Sequence, residues 1–430
     1  MLLQFNFQNF KSFRDEATLD MTATGISEFR FHIVEEFNER VLPVAAIFGA
    51  NASGKSNVVE AFYCMTQLVL FSYISSQVER TNKENSIQAL RPKPFLLDAE
   101  HPNIETSFEV YFIDDSNGWT YNYGFSILKG KIKEEWLNYK TKTKSTKDGS
   151  GFKKVFYRFA DKGIVDLEDI TEKQRENILV ALGEESLIVS LGSILKISKL
   201  ERVWDWFAKI NFVNYGSPRT SVYLSETLPD GFADDEAVQN DVVNYLAAFD
   251  PSIVGFQVEA AESEEQEEES RYRVNALHRI NGSKVLMPIS MRDESSGTQK
   301  MFSLYPSLQD VLSHGSILFI DELNARLHPL LVRNFIITFL DPERNPNHAQ
   351  LIFTTHDAWQ LNNNMLRRDE IWLTEKGEDE ATSLYSLSDF EDDKGSKIRK
   401  DENYQKNYLL GKYGAIPTIK GFSIAGRDAQ

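Results

Sequence analysis

Cysteine is nearly absent from the chain, and no apolar run reaches the length needed to cross a membrane. The 430 residues contain a single cysteine, Cys64, which excludes an internal disulfide and is more typical of a small buried hydrophobe than of a reactive thiol. The start of the chain, Met1 to Phe5, lacks the basic segment and apolar core of a secretory signal. These absences predict a cytoplasmic protein with no membrane partner.

An excess of positive charge is also lacking. The chain carries 47 Lys and Arg residues against 64 Asp and Glu residues, for a formal net charge of −17. Such a balance argues against a surface that holds nucleic acid indiscriminately, although a local basic patch is still allowed. The length predicts two or three domains, or one large head that carries an inserted lobe.

A glycine-rich stretch between a strand and a helix is the strongest chemical signal present. Residues 44–48 predict a buried strand and residues 57–62 predict a helix, so residues 49–56 form the loop between them. Glycines let backbone N–H groups turn towards a phosphate, and the helix N-terminus adds its positive dipole end. The pattern predicts a phosphate-binding P-loop in which Lys55 reaches the β- and γ-phosphates and Ser56 binds Mg²⁺. The residues expected to contact the nucleotide are Gly49, Asn51, Ser53, Gly54, Lys55, Ser56 and Asn57.

A polar and basic turn at residues 9–14 follows the first predicted strand, in which Leu3, Phe5 and Phe7 alternate with polar residues. If that strand lies beside the P-loop strand, Lys11 and Ser12 contact the base and sugar of the nucleotide. A solvated turn is an equally good interpretation of the same residues.

The middle of the chain shows three patterns in turn. Period-two alternation predicts antiparallel strands near residues 108–112, 121–127, 132–139 and 155–159, with a basic loop at 140–154. That loop is interpreted either as a solvated hairpin tip or as an arm that contacts nucleic acid or an acidic partner. Residues 167–249 indicate amphipathic helices. Strands follow at 253–258, 272–274 and 284–286, around a glutamate-rich run at 259–269 that indicates a solvated tip or a partner-binding loop.

A second set of polar residues lies near the end of the chain. Residues 316–322 form an apolar strand that ends in Asp321 and Glu322, and residues 351–356 form another that ends in His356. Buried parallel strands deliver such side chains to one edge of an α/β sheet. We expect Asp321 to hold Mg²⁺, Glu322 to polarise the attacking water and His356 to orient the γ-phosphate, with Lys55 completing the catalytic set. A serine- and glycine-containing turn that opens a helix adds candidate nucleotide contacts at Ser295, Ser296, Gly297 and Gln299.

Together these motifs resemble a known family. The ordered set of residues 49–56, 295–299, 317–322 and His356 resembles the ABC-type ATPase head of structural-maintenance-of-chromosomes and RecF-like proteins. More narrowly, residues 9–13, 294–299, 321–323, 327–329 and 354–357 resemble the AAA-family ATP-binding proteins of phage-defence operons. Those proteins are related to the ATPase part of overcoming-lysogenisation-defect (OLD) nucleases and to RloA-like and abortive-infection ATPases.

The resemblance implies a fold, cofactors and partners. The expected fold class is α/β: an ABC-type P-loop ATPase head with a mixed sheet, an antiparallel β-subdomain and an inserted helical lobe. Residues 1–165 and 253–430 would form the two halves of the head, and residues 166–252 the lobe. ATP and Mg²⁺ are the implied ligands. Residues 295–299 stand in the place of the signature motif, which implies a head-to-tail homodimer or higher oligomer with ATP between the protomers. Asn324 stands where the family often has an acid.

The implied function is the ATPase of a two-component anti-phage system, which dimerises through ATP and controls a separately encoded effector. That effector is expected to be a nuclease or toxin. It is expected on another polypeptide, because residues 357–430 are too short to hold a nuclease domain together with the end of the ATPase. Its trigger would be a nucleic acid or a phage protein. The alternative is an SMC- or RecF-like DNA-binding ATP clamp in DNA repair. A soluble subunit of a membrane transporter is disfavoured by the long irregular middle.

Overall fold

The computed structural model of the protein describes residues 1–79, 91–141, 151–168, 170–215, 228–229, 231–260, 272–391, 395 and 397–417. The helices are α1 Lys55–Glu79, α2 Glu172–Ala181, α3 Ile188–Ile194, α4 Ser198–Ala208, α5 Glu236–Ala247, α6 Ser296–His314, α7 Pro329–Leu340 and α8 Tyr404–Leu409. The first strands are β1 Leu2–Gln8, β2 Ala17–Asp20, β3 Val34–Glu36, β4 Glu39–Val41, β5 Val44–Gly49, β6 Thr106–Asp114, β7 Trp119–Leu128, β8 Lys131–Lys140 and β9 Lys153–Phe159. The remaining strands are β10 Ile164–Leu167, β11 Asn211–Asn214, β12 Ile253–Ala260, β13 Tyr272–Arg279, β14 Leu286–Ser290, β15 Ile317–Asp321, β16 Gln350–Thr354, β17 Ile371–Lys376 and β18 Thr382–Ser386.

A six-stranded sheet carries the P-loop and the strand-end acids. Its order is β11-β15-β16-β5-β17-β18, and every pair is parallel except β17 with β18. Strands β5, β15 and β16 are fully buried, as expected for apolar runs in a parallel sheet covered on both faces. Because the three strands are parallel neighbours, their carboxyl ends open at one edge, where the P-loop, Asp321 and His356 follow.

Alternate residues of this central sheet enter two separate hydrophobic cores. Ile47, Phe319 and Ile352 face a core shared with α1, α3, α4 and the larger antiparallel sheet. Phe48, Ile320 and Phe353 face the other core, against α5, α6 and α7. Period-two strand geometry therefore places the P-loop strand between two apolar layers, which holds its glycine loop in one position.

The antiparallel strands predicted from alternation are confirmed. They form a seven-stranded sheet in the order β10-β9-β8-β7-β6-β1-β2. The opening strand β1 pairs with β2 and β6 in this sheet, and does not lie beside the P-loop strand β5. Strands β12, β13 and β14 form a separate three-stranded antiparallel sheet, and β3 pairs with β4.

One part of the predicted helical stretch is corrected by the structure. Residues 211–214 form strand β11, which pairs in parallel with β15 at the edge of the central sheet. Phe212 of this strand stacks on Phe319 at 5.1 Å, so pairing with a distant strand outweighs the helical pattern of its neighbours. Helices α2 to α5 account for most of the remaining described residues in this stretch.

The P-loop helix α1 contains the predicted helical residues 57–62 and runs to Glu79. By length and composition alone, its residues 55–77 pass as a membrane span, but half of the apolar window is buried inside the protein.

Burial raises the pKa of the Cys64 thiol on this helix to about 12, as expected for a cysteine that acts as a hydrophobe. Most of the acidic run and the centre of the basic loop lie outside the described residues.

A buried carboxylate connects the antiparallel sheet to α3. Glu135 on β8 accepts hydrogen bonds from the backbone N–H of Ile188 (2.7 Å) and Val189 (3.2 Å) and from the hydroxyl of Tyr123 (3.0 Å). These bonds satisfy the first amides of a helix whose N-cap residue, Leu187, has no capping side chain. Burial raises the pKa of Glu135 to about 7, against the opposing charge of Arg158 and the bonds themselves.

We predict that this carboxyl makes stability depend on pH. The folded protein keeps a proton between pH 4.5 and 7 that the unfolded chain has lost, so its contribution is complete below about pH 4.5 and disappears as the pH rises through 7. Denaturant unfolding of wild type and Glu135→Gln at pH 5 and pH 8 measures this effect. Relative to the variant, wild type should lose up to about 3 kcal/mol at the higher pH. A difference that does not change with pH would contradict the assignment.

Candidate nucleotide site

The P-loop joins β5 to α1, and its backbone leaves no room for a side chain at Gly49, the last residue of β5, or at Gly54. A Cβ atom at Gly54, whose φ is +102°, would lie 2.8 Å from the Ser12 and Thr382 hydroxyl oxygens. At Gly49 it would lie 2.4 Å from the hydroxyl oxygen of Thr374. The loop therefore needs glycine at both places. Helix α1 starts directly at Lys55, so the amides of Lys55 and Ser56 have no acceptor within the helix and can bind an anion.

Lys55 lies against its own loop. Its Nζ donates to the carbonyls of Gly49 at 3.0 Å and Ala50 at 2.7 Å, and the residue is 4% exposed. Burial lowers its pKa to about 8, while Asp321 and Glu322 act to raise it. A lysine held near two carbonyls beside a glycine loop is ready to exchange them for phosphate oxygens, which are stronger acceptors.

Ser56, Asp321 and Thr354 form a short hydrogen-bonded chain across the carboxyl ends of the central strands. The Ser56 hydroxyl donates to Asp321 Oδ1 at 3.0 Å, and the Thr354 hydroxyl donates to the same oxygen at 2.6 Å. Thr354 also accepts the backbone N–H of Glu322 at 2.8 Å. Thr354 therefore fixes both strand-end acids from the neighbouring strand, a role that the sequence did not suggest.

Thr354→Val keeps the side-chain shape and removes both of these hydrogen bonds. We expect it to reduce the free energy of unfolding by about 1–3 kcal/mol, because the backbone amide of Glu322 is left unpaired. We also expect it to slow the ATP hydrolysis that the sequence predicts. Denaturant unfolding and steady-state turnover measure the two effects. Thr354→Ser retains the hydroxyl and should stay close to wild type, so a valine variant indistinguishable from the serine variant would refute this role.

Glu322 and His356 lie together at the open edge of the sheet. The His356 Nε2 is 3.4 Å from Glu322 Oε1, and each side chain is about one-third exposed. Glu322 has a φ of +59°, a left-handed conformation that is uncommon outside glycine and tends to occur where function requires it. Asn324 accepts hydrogen bonds from the Thr355 hydroxyl (2.9 Å) and the His356 backbone N–H (3.2 Å). The loop after β15 is thus connected to the strand end that carries His356.

The turn after β1 also contacts the P-loop helix. Ser12 Oγ accepts from Asn57 Nδ2 at 2.7 Å and from the Thr382 hydroxyl at 2.8 Å. Lys11 forms an ion pair with Glu60 on α1, and burial and nearby Lys93 lower its pKa. Ser12 therefore contacts the P-loop helix in the structure, and a direct contact of Lys11 or Ser12 with the nucleotide stays a prediction.

The C-terminal hairpin of β17 and β18 also contacts the P-loop. The Ser53 and Thr374 hydroxyl oxygens are 2.6 Å apart, and the Thr382 hydroxyl lies 3.0 Å from the Ser53 carbonyl. These partners are more than 300 residues apart in sequence, so no local pattern could have identified them.

The serine- and glycine-containing turn opens α6 as predicted. Ser295 is the N-cap and accepts the backbone N–H of Thr298 at 3.1 Å, while Gln299 donates to the carbonyls of Arg292 and Glu294. Ser295 and Ser296 are exposed, and Gly297 is half-buried. Among the hydrogen bonds of the described residues, none joins this turn to the P-loop of the same chain. Direct contacts of Ser295, Ser296, Gly297 and Gln299 with a nucleotide stay a prediction.

The residues present fit a Mg²⁺-bound nucleotide. Mg²⁺ keeps several waters and is usually held by one or two protein oxygens together with substrate phosphates. Ser56 and Asp321 supply a hydroxyl and a carboxylate oxygen 3.0 Å apart beside the phosphate loop. Within the part of the chain that the structure describes, no cluster of three or more His, Cys, Asp or Glu residues forms an all-protein metal site.

Comparison with known proteins gives a family match over more than half of the chain. The model of the family described as "AAA domain, putative AbiEii toxin, Type IV TA system" matches residues 44–152 and 220–358. The two matched ranges contain the P-loop, the turn at 295–299, both strand-end acids and His356. No curated protein matches the chain in sequence.

Solved structures of SMC heads are similar over nearly the whole chain. They include an SMC head bound to the C-winged helix domain of ScpA, with 15% identity and coverage of 92% of this chain and 99% of that one. The SMC head domain from Thermotoga maritima has 11% identity, with coverage of 90% and 98%. An Smc head with an extended coiled coil, bound to the C-terminal domain of ScpA and derived from Pyrococcus furiosus, has 12% identity, with coverage of 90% and 96%. The TM-score is 0.40 in each case.

The predicted fold class is confirmed. The chain has a mixed α/β architecture, with a six-stranded mixed sheet that carries the P-loop and a separate seven-stranded antiparallel sheet.

Proposed function

Because this chain belongs to the family of AAA domains described as putative AbiEii toxin and Type IV TA system, we propose that it is the ATPase of a two-component anti-phage defence system. In this proposal it is functionally related to the OLD and RloA-like abortive-infection ATPases, which its motifs resemble. It dimerises through ATP and controls a separately encoded effector, a nuclease or toxin. The observation that carries the ATPase part is the convergence of Lys55, Ser56, Asp321, Glu322 and His356 at one sheet edge.

Each side chain has a defined task in this mechanism. Lys55 leaves the carbonyls of its own loop and binds the β- and γ-phosphates, together with the amides at the start of α1. Ser56 and Asp321 would hold Mg²⁺, which neutralises phosphate charge when bound. Glu322 polarises the attacking water, and His356, 3.4 Å away, orients the γ-phosphate and Glu322 together.

The head-to-tail dimer is supported by the position of Ser295. This residue is exposed at the start of α6 and has no hydrogen bond to its own P-loop within the described residues. A second protomer would bring its own phosphate loop to that turn, so that each nucleotide contacts two chains. A single protomer would then bind ATP and hydrolyse it poorly.

A mixing experiment tests this arrangement. Lys55→Ala removes the phosphate-binding lysine. Ser295→Arg places a bulky cation in the turn at residues 295–299, called the signature turn below, so each variant alone should be inactive. A mixed dimer contains one intact composite site, with the P-loop of the Ser295→Arg chain and the signature turn of the Lys55→Ala chain. We expect turnover to reappear when the two are mixed, and its absence would refute the composite site.

Mass spectrometry of proteins that co-purify with the tagged wild type tests for the effector, and a nuclease or toxin is expected.

The nucleic-acid clamp receives less support from the described part of the basic loop. Lys154 lies 2.6 Å from Asp166 and 2.6 Å from Glu168, so its charge is already balanced within the protein. Stimulation of ATP hydrolysis by DNA, with binding that weakens steeply as salt increases, would favour the clamp over the defence ATPase.

A further inference from the structure

A buried lysine connects the signature turn to the loop that carries Glu322. Lys300 is 5% exposed, and its Nζ donates to the carbonyls of Leu323 at 2.7 Å, Ala325 at 2.8 Å and Glu322 at 3.4 Å. It also lies 3.9 Å from the ring centre of Tyr215. Among the ion pairs of the described residues, none includes Lys300, so backbone carbonyls and an aromatic ring replace the carboxylate that a buried lysine usually has.

The three carbonyls use all three donors of an ammonium group. Removing such a group from water is unfavourable, and a purely apolar side chain at this position would avoid that cost. The side chain therefore calls for an explanation beyond filling space. The placement of its acceptors suggests an explanation, because all three carbonyls belong to one short loop at residues 322–325.

Both ends of the connection lie at the proposed site. Lys300 is on the second turn of α6, one residue after Gln299 of the signature turn. The loop it holds contains Glu322, in its left-handed conformation, and Asn324, which is hydrogen-bonded to the strand end that carries His356. The side chain is thus the direct link between the helix that a second protomer would contact and the pair that acts on water.

We propose that Lys300 is a positioning residue that fixes the 322–325 loop to α6 and thereby holds Glu322 and His356 of its own chain in their hydrolytic arrangement. This inference rests on the proposed function. Lys300 does not touch nucleotide in this account, so its loss should reduce the rate of hydrolysis and leave ATP affinity nearly unchanged.

The first test is the full-length Lys300→Met variant, with Lys406→Met on the exposed face of α8 as the matched control. We expect kcat to fall by about 10–100-fold, as small displacements of catalytic groups do, while the Kd for ATP changes by less than about threefold. The control should match wild type in both. A Lys300→Met turnover within twofold of wild type, or an equal loss in ATP affinity, would overturn the proposal.

The second test separates positioning of Glu322 from simple support of the signature turn. In the mixed dimer described above, the active Glu322 belongs to the Ser295→Arg chain and the active signature turn to the Lys55→Ala chain. Lys300→Met on the Ser295→Arg chain should remove the recovered turnover, whereas the same change on the Lys55→Ala chain should leave it. If turnover is lost only when the change is on the Lys55→Ala chain, or is lost equally with the change on either chain, the proposal is overturned.

A further variant keeps the test decisive if methionine prevents folding. Lys300→Gln retains a polar terminus beside the carbonyls, and we expect the same dependence on which chain carries it. Failure of the inference is distinct from failure of the proposed function: in the first case the unmodified mixed dimer is active and Lys300 variants are normal, and in the second the unmodified mixed dimer is inactive.

Discussion

Replacing Glu322 with glutamine is expected to slow ATP hydrolysis by about 10²–10⁴-fold while ATP still binds, because an amide cannot accept the proton of the attacking water. The amide has nearly the same shape as the carboxylate, and the hydrogen bonds from the Glu322 backbone N–H to Thr354 and from Lys300 to the Glu322 carbonyl do not involve the Glu322 side chain. The variant should therefore keep its fold, and the ATP-bound dimer should accumulate instead of turning over.

Steady-state turnover, ATP binding and light scattering in the presence of ATP measure these three outcomes for the same preparation. Glu343→Gln, an exposed change after α7, is the matched control and should behave as wild type. Normal turnover in Glu322→Gln would remove Glu322 from the role of base. A loss of ATP affinity parallel to the loss of turnover would mean instead that Glu322 contributes to binding.

Lys55→Ala is expected to weaken ATP binding by about 10²-fold, since a charge-assisted contact with phosphate contributes about 1.5–3 kcal/mol. The protein should remain folded, because the change removes a buried cation whose pKa is already lowered by burial. Titration with ATP in an isothermal calorimeter measures the affinity. Denaturant unfolding without nucleotide measures the stability.

The control for this prediction is Lys406→Ala, which removes an exposed lysine from α8. It should bind ATP with the affinity of wild type. If Lys55→Ala bound ATP normally, the loop at residues 49–56 would not be a phosphate site, and the assignments of Ser56, Asp321 and Glu322 would lose their basis.

The local part of this site was predictable because each piece has its own sequence pattern. The P-loop lies between an apolar run and a helix, and the Asp321-Glu322 pair ends another apolar run, so strand ends and a loop could be recognised one at a time. Parallel pairing of β5, β16 and β15 then brings them to one sheet edge, where Ser56 meets Asp321 at 3.0 Å.

The supporting residues could not be predicted, since their contacts join distant parts of the chain. Thr374 and Thr382 contact the P-loop from a hairpin more than 300 residues away, and Thr354 bonds across two strands to both acids. A threonine in a strand is ordinary, and only the tertiary structure reveals what its hydroxyl meets. Strand β11 was missed for a similar reason, because its pairing with β15 outweighs a helical neighbourhood.

The burial of Lys300 could not be predicted from the sequence. Lys300 directly follows the signature turn, but a lysine near the start of a helix is normally exposed to solvent. Its burial became evident only when α6 was packed against the loop at residues 322–325.

The most direct test of the central claim is a crystal structure of the Glu322→Gln variant grown with ATP and Mg²⁺. We expect Lys55 Nζ to have left the carbonyls of Gly49 and Ala50 for the β- and γ-phosphates. We also expect Mg²⁺ beside Ser56 and Asp321, and His356 facing the γ-phosphate. A nucleotide bound elsewhere, with Lys55 still on its own loop, would contradict this claim.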